Sequence, residues 1–183
     1  KMVRTYHDPV IWMTDGGSLN WKSVEGWELN ELRAEQFLAD ALTINPTGAA
    51  AMALNACNQM ARWSEYRDVS SVISNQVDAG DADESELSNL RGRELEMHRV
   101  RSSAYSMTPE IVDAAVEIAL TDRRPQAAIE LLKTLESFDR NSGTGNVPGS
   151  VIRALTYDHR GVRFAAAHAV AFMGAAPGFS NSD

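Results

Sequence analysis

The chain has 183 residues, enough for one well-filled core, and its composition is that of a globular protein, neither low-complexity nor disordered. Its formal net charge of -8 argues against an electrostatic grip on nucleic acid. The single Cys57 excludes an intramolecular disulfide and a cysteine zinc cluster, and no apolar run reaches the length of a membrane span, which favours a soluble protein of the cytoplasm.

The first 26 residues are rich in aromatic side chains but show no regular periodicity. We predict an N-terminal arm over residues 1–26, in which residues 10–13 form either a short strand or an extended segment. Trp12, Trp21 and Trp27 then have two interpretations. Either the arm pins them onto the first helices, or they form an exposed patch that binds a partner, because tryptophan is enriched at protein interfaces.

Two helices are predicted next, over residues 28–44 and 49–63, from apolar side chains at helical spacing. An Asn-Pro pair separates them, because proline disfavours helix in the residue before it. The first of these helices resembles the second helix of a tetratricopeptide repeat, a unit of stacked antiparallel helices, in Ala34, Leu38, Ala41, Leu42, Asn45 and Pro46. The following helix keeps only part of that motif, since Asn55 replaces the usual leucine, so the resemblance covers about one repeat at residues 28–63.

The middle of the chain is more polar. Residues 64–77 predict a further helix with Ser64 as its N-cap, and the acidic stretch 78–84 is the best internal boundary. Residues 85–105 show a narrow apolar seam in charged surroundings, which predicts a solvated outer helix. On that helix Glu94 and His98 lie one turn apart and are expected to form an ordinary surface pair.

The stretch 151–173 predicts two helices joined by a polar turn, the second so rich in alanine that neighbours can pack closely on it. Its order resembles a HEAT repeat, a helix-turn-helix unit that stacks into solenoids: Leu155, the polar turn 157–161, Val162, Arg163, then alanines. The family's usual Asp is replaced by Tyr157, with Asp158 one step later. The resemblance implies that Arg163 bonds to turn acids and carbonyls, so its loss costs on the order of 1–3 kcal/mol if those bonds are buried.

A second unit of the same plan precedes it. Aligning Leu120 with Leu155 gives an offset inside the repeat length of helical solenoids and puts Asp122 in the family's Asp position. Ala127 and Ala128 stand where the Val-Arg pair is found in the later unit. The HEAT-like resemblance therefore covers about residues 108–176.

These resemblances imply an all-α protein, a right-handed α-solenoid of antiparallel helix pairs with an irregular N-terminal arm. After the arm come a tetratricopeptide-like helical block at residues 27–105 and a HEAT-like block at residues 106–183. The last predicted helix is among the most apolar, whereas a solenoid normally ends in a polar cap. We therefore expect either a fragment of a longer protein, with further repeats or another domain downstream, or a homodimer through the exposed C-terminal repeat.

Motifs for catalysis or cofactor binding are not evident in the sequence. The four histidines are scattered, and the glycine-rich stretch 139–149 follows no predicted strand and lacks the Lys-Ser/Thr of a phosphate-binding loop. We expect no cofactor and no metal. His168 lies among alanines and is either a hydrogen-bonded buried histidine, the favoured interpretation, or a residue of a binding groove.

Helical repeats without catalytic motifs predict a scaffold that binds another protein, or another domain of the same longer chain, and has no activity of its own. For partner binding we single out four turn arginines and one histidine: Arg123, Arg124, Arg160, Arg163 and His168. The HEAT resemblance also allows an enzyme of the lyase or glycosylase type, with Asp113 and Glu117 as the first carboxylates to test. A nucleic-acid-binding repeat would use the same arginines as a local basic stripe, against the acidic total.

Overall fold

Helices make up most of the chain in the computed structural model, which describes residues 9–15, 18–142 and 147–173. The first elements described are two antiparallel strands, β1 Val10–Asp15 and β2 Ser18–Ser23, which form a hairpin. The helices that follow are α1 Leu29–Ile44, α2 Ala49–Ala79, α3 Glu84–Gly92, α4 Glu94–Tyr105, α5 Pro109–Thr121, α6 Pro125–Ser142, α7 Gly149–Ala154 and α8 Arg160–Met173. The expectation of a predominantly helical protein is therefore confirmed, with a peripheral hairpin in the predicted arm.

Helix α2 is the longest element, 31 residues or about 46 Å, and α1, α3, α4, α5 and α6 all pack on it. The sequence predicted two helices here, divided at Ser64. The chain instead stays helical because neither glycine nor proline occurs between Ala49 and Ala79, and the Ser64 hydroxyl donates to the carbonyl of Ala61 inside the helix. Gly80 ends the helix in the left-handed conformation, with φ 78°.

The second half of the chain packs as two adjacent helix pairs. Helix α5 packs on α2, α6 and α7, while α8 packs on α6 and α7. Small side chains sit where these helices meet, and each is almost fully buried: Ala115, Ala119, Ala127, Ala128, Ala166 and Ala169. A Cβ on Gly161 would lie 3.0 Å from Cδ1 of Ile129, so the start of α8 approaches α6 closely. The expectation that alanines allow close nesting in this region agrees with the packing.

The predicted helix over residues 85–105 is two helices. Asp83 caps α3 by accepting a hydrogen bond from the backbone N–H of Ser85, and α4 begins after Arg93. Gly92 weakens the helix at the break, and the Arg93 side chain is drawn to a carboxylate near the start of α1. Helix α4 buries a seam of Met97, Val100 and Ala104 against α2.

The hairpin is attached to α1 through β1, whereas every residue of β2 is exposed. Ile11 is buried, as is Val24 just after β2, and the Gln36 side-chain amide donates to the carbonyl of Trp12 at 2.9 Å. An isolated two-stranded hairpin is marginal in water, so this attachment to α1 is what stabilises it. In the described part of the chain, no helix is both long and apolar enough to cross a membrane.

Candidate interaction surfaces

A buried ion network ties the region after the hairpin to three helices. Its members are Glu28, Glu35, Arg62, Arg93 and Glu96. Arg62 is 3 % exposed on α2 and donates to Glu28 at 2.7 Å, to Glu35 at 3.1 Å and to Glu96 at 2.6 Å. Arg93 donates to both carboxylate oxygens of Glu28 at 2.6 Å. The network therefore joins the start of α1 to α2 and α4.

Charge neutralisation inside the network shifts the pKa values of two members, Arg62 and Glu96. Burial alone would lower the pKa of the Arg62 guanidinium, but Glu28 and Glu35 outweigh burial and hold that pKa above its usual value. Burial would raise the pKa of Glu96, but the hydrogen bond and charge of Arg62 hold it below its usual value. Both groups therefore stay charged, as a satisfied buried network requires.

The hairpin exposes an apolar surface that we call the tryptophan face, formed by Val10, Trp12, Leu19 and Trp21. Trp12 pairs with Trp21 across the two strands, and alternate residues point the same way. These two side chains are 57 % and 63 % exposed, and Val10 and Leu19 on the same side are also exposed. Of the two interpretations from the sequence, the pinned arm is wrong for Trp12 and Trp21.

Trp27 differs from the two hairpin tryptophans. It is partly buried against the core cluster, and the Arg93 guanidinium lies 5.6 Å from the centre of its ring. This is within the range of a cation–π contact. For Trp27, therefore, attachment to the helices is confirmed, and its ring contacts Arg93, a member of the ion network.

A second surface, the α2 groove, runs along one face of α2 between α1 and the α5–α6 turn. It consists of two adjoining clefts of about 310 and about 350 Å³ that share Arg124. The α2 residues lining it follow helical spacing: Leu54, Cys57, Asn58, Ala61, Glu65 and Asp68. At the Leu54 end the walls are mainly apolar, and at the Asp68 end they carry carboxylates and arginines.

The carboxylates at the Asp68 end are unevenly paired. Glu31 is buried and lies 3.7 Å from Arg124, and the Asn58 side chain donates to the Glu31 backbone carbonyl. One carboxylate oxygen of Glu65 is buried and has no hydrogen-bond partner among the described residues. Burial, and then the charge of Glu31, raise the pKa of Glu65 to about 7 against a lowering by Arg124. At this end of the groove, therefore, one oxygen of Glu65 lacks a hydrogen-bond donor within the described part of the chain.

Of the four predicted arginines, two lie in the α5–α6 turn and two in the first turn of α8, with different surroundings. Arg123 and Arg124 line the α2 groove, and Arg123 holds a left-handed backbone with φ 55°. Arg163 donates to the carbonyls of Tyr157 and Asp158 in its own turn, which matches the carbonyl bonding expected of it, but the bonds are exposed. Arg160 is an exposed residue at the start of α8.

His168 is on the surface, so the interpretation as a buried histidine is wrong. Its side chain is 49 % exposed, and Nδ1 lies 2.7 Å from a carboxylate oxygen of Glu136. Its ring centre is 6.5 Å from that of Phe164 and 4.6 Å from that of Phe172. All three rings lie on one exposed side of α8, since residues four apart share a face.

The carboxylates singled out for an enzyme take part in packing contacts between α5 and α7. Asp113 accepts a hydrogen bond from the Ser150 hydroxyl, and Glu117 pairs with Arg153. Cys57 is buried, and burial raises the pKa of its thiol to about 11, so it is a poor nucleophile. No group of three His, Cys, Asp or Glu that could hold a metal was found within the described ranges.

The ion network was not among the features predicted from the sequence. A signal for it existed: Arg62 stands next to Trp63 in an otherwise alanine-rich, buried stretch of α2, where an unpaired charge would be costly. The expected surface pair is present, with Glu94 3.5 Å from His98.

Comparisons with protein families, with curated proteins and with solved structures found no match to this chain.

Proposed function

We propose that this chain is a scaffold that binds another protein, or another domain of a longer chain, through the tryptophan face. The observation that carries the proposal is the exposure of Trp12 and Trp21, 57 % and 63 %, on a hairpin whose first strand is attached to α1 through Ile11 and the Gln36 hydrogen bond. Tryptophan is the residue most enriched among the few side chains that dominate interface energetics. Two of them paired across strands form a compact anchor for a partner.

Rigid presentation supports the same proposal. Glu28 lies in the segment between the hairpin and α1, and its charge-assisted bonds to Arg62 and Arg93 hold that segment against α2 and the start of α4. A surface fixed before binding loses less conformational freedom when a partner docks. We therefore assign the ion network a positioning role: it fixes the segment that joins the hairpin to the helices.

The remaining helices fit the scaffold. We propose that α5–α6 and α7–α8 are HEAT-like units and α1–α2 a tetratricopeptide-like unit of a right-handed α-solenoid. Short connections and the packing of α5 on α7 and α6 on α8 support stacked pairs. The unequal lengths of α2 and α7, 31 and 6 residues, make this stack irregular. Such stacks hold partners on extended surfaces.

Site-specific photocrosslinking tests the proposal. The photoreactive amino acid p-benzoylphenylalanine is placed at Leu19 on the tryptophan face or, as the matched control, at Leu95, which is 64 % exposed on α4. In an extract of the source cells we expect a crosslinked polypeptide from position 19 that is absent from position 95. The polypeptide is then identified and purified.

The purified polypeptide allows a quantitative check. We expect the variant Trp12→Ser with Trp21→Ser to bind it at least tenfold more weakly, since loss of one interface anchor typically costs about 2 kcal/mol. The variant Leu95→Ser should bind like the wild type, and circular dichroism should show both variants folded. Equal binding by the tryptophan variant and the wild type would overturn the proposal.

A further inference from the structure

The α2 groove is separate from the tryptophan face, and we propose that it binds a short amphipathic segment of another polypeptide. The segment places a large apolar side chain at the Leu54 end and a lysine or arginine beside Glu65. This ligand class follows from the two unlike ends of the groove. It does not depend on the proposed function, because no residue of the tryptophan face lines the groove.

The apolar end has side chains available for a ligand. Phe37 is 75 % exposed although it lines this cleft, and Leu54 is also exposed. Leu38 and Ile118 complete the wall, with Cys57 at its base. A single large apolar side chain laid between Phe37 and Leu54 would remove all of these surfaces from water at once.

Charge complementarity identifies the other anchor. Glu31, Glu65 and Asp68 line this end, against Arg123 and Arg124. Arg124 lies 3.7 Å from Glu31 and Arg67 lies 3.6 Å from Asp68, so Glu65 is the carboxylate at this end with no ion pair among the described residues. Burial and the nearby Glu31 charge make ionised Glu65 costly, which its pKa of about 7 reflects. A ligand ammonium or guanidinium in the cleft that Glu65 lines would supply the missing positive charge.

Groove length decides between a small molecule and a chain segment. Leu54 and Glu65 are eleven residues apart on α2, or about 16 Å. That span matches about eleven residues of a helix or about five of an extended strand. Helix-in-groove and extended-segment recognition both use anchors at such spacings. The ligand therefore needs two anchors on one backbone, which is what a polypeptide segment provides.

The probe is a peptide obtained by selection from a displayed library of random 16-residue peptides on the immobilised full chain. We expect the selected sequences to share a large apolar residue and a lysine or arginine. A fluorescein-labelled consensus peptide, and the same peptide with its basic residue changed to glutamine, are then titrated in fluorescence anisotropy. An acidic consensus that binds through Arg124 would overturn the proposal.

Variants locate the binding. Leu54→Asp and Phe37→Ser, both at exposed positions, should weaken the Kd of both peptides at least tenfold. Glu65→Gln should weaken the basic peptide three- to tenfold and leave the glutamine peptide unchanged. Leu95→Asp, at an exposed position on α4, serves as the control and should bind like the wild type. Equal effects of Glu65→Gln on the two peptides would refute the cation anchor.

One more variant separates this proposal from the proposed function. The Trp12→Ser with Trp21→Ser variant should bind the basic peptide with unchanged Kd, whatever it does to the partner of the tryptophan face. Loss of peptide binding in that folded variant would show that the peptide sits on the hairpin and would overturn the groove assignment.

Discussion

Replacing Glu28 by glutamine should destabilise the protein more than the same change at the more exposed carboxylates of the ion network, Glu35 and Glu96. Glu28 is 1 % exposed and accepts from Arg62 at 2.7 Å and from Arg93 at 2.6 Å on both of its oxygens. Glutamine has nearly the same shape, so the substitution removes the charge and one acceptor oxygen while leaving the packing in place. The change therefore isolates the electrostatic part of the network.

The structure sets the size of the effect. Breaking a buried ion pair costs about 3–5 kcal/mol, because the remaining charge loses its partner. Arg62 keeps Glu35 and Glu96 after the change, so we expect the lower end, about 3 kcal/mol. The matched control is Glu35→Gln, whose single 3.1 Å contact belongs to a 38 % exposed side chain and should be worth under about 1 kcal/mol.

Urea unfolding followed by circular dichroism measures both variants. Glu28→Gln should lower the midpoint with little change in slope and lower the Tm by about 6–12 °C, at about 2–4 °C per kcal/mol for a chain of this size. Arg93→Met should also cost less in the Glu28→Gln background than in the wild type, because the two residues interact. If Glu28→Gln and Glu35→Gln unfold within about 0.5 kcal/mol of each other, the network is not the electrostatic joint described above.

Three further predictions concern other sites. The pKa of Glu65 is raised to about 7, so the stability of the wild type should fall as the pH rises from about 4.5 to about 7 and the protonated form is lost. Urea unfolding should therefore show that the free energy of unfolding of Glu65→Gln, relative to that of the wild type, is about 1–3 kcal/mol larger at pH 8 than at pH 4.5. Gly80→Ala should cost about 1 kcal/mol by urea unfolding, because φ is 78°, whereas Gly92→Ala inside α3 should not destabilise. Arg163→Ala should cost under about 1 kcal/mol by the same measurement, below the range set for buried bonds, since its two carbonyl bonds are exposed.

Local signals were enough for the regular helices. The segment that repeats the plan of 151–173 was predicted to be a helix pair, and the structure gives α5 Pro109–Thr121 and α6 Pro125–Ser142. The alanine-rich α8 was predicted in the same way. These helices are specified by residues three or four positions apart, which a sequence displays directly.

The errors came from polar residues that can take more than one role, and in most cases a distant partner decides which. Ser64 has the identity of an N-cap, but inside α2 its hydroxyl bonds back to Ala61 and the helix continues. The break between α3 and α4 coincides with Arg93, which bonds to Glu28, 65 positions earlier. His168 lies in an apolar sequence but on the outer side of α8. No spacing rule connects such residues before the fold is known.

The most consequential error was to assume that charged residues lie on the surface. Arg62 and Glu28 lie 34 positions apart and become a buried pair only when α1 folds back on α2. A lone arginine in a buried stretch is nevertheless informative, because an unpaired buried charge is costly. Such a residue predicts a carboxylate partner, although the sequence does not say which one.

The way α1 is attached to α2 explains why apolar side chains remain exposed on it. Glu28, Glu31 and Glu35 recur at helical spacing and lie on the side of α1 that meets α2, where they contact Arg62 and Arg124. A helix usually turns its apolar stripe inward, whereas the buried residue of α1 is the carboxylate Glu31, at 7 % exposed. Because carboxylates hold the helix in place, its apolar side chains are left outside the contact, at the edge of the α2 groove. The same ionic attachment that secures α1 therefore leaves apolar surface available for a ligand in the groove.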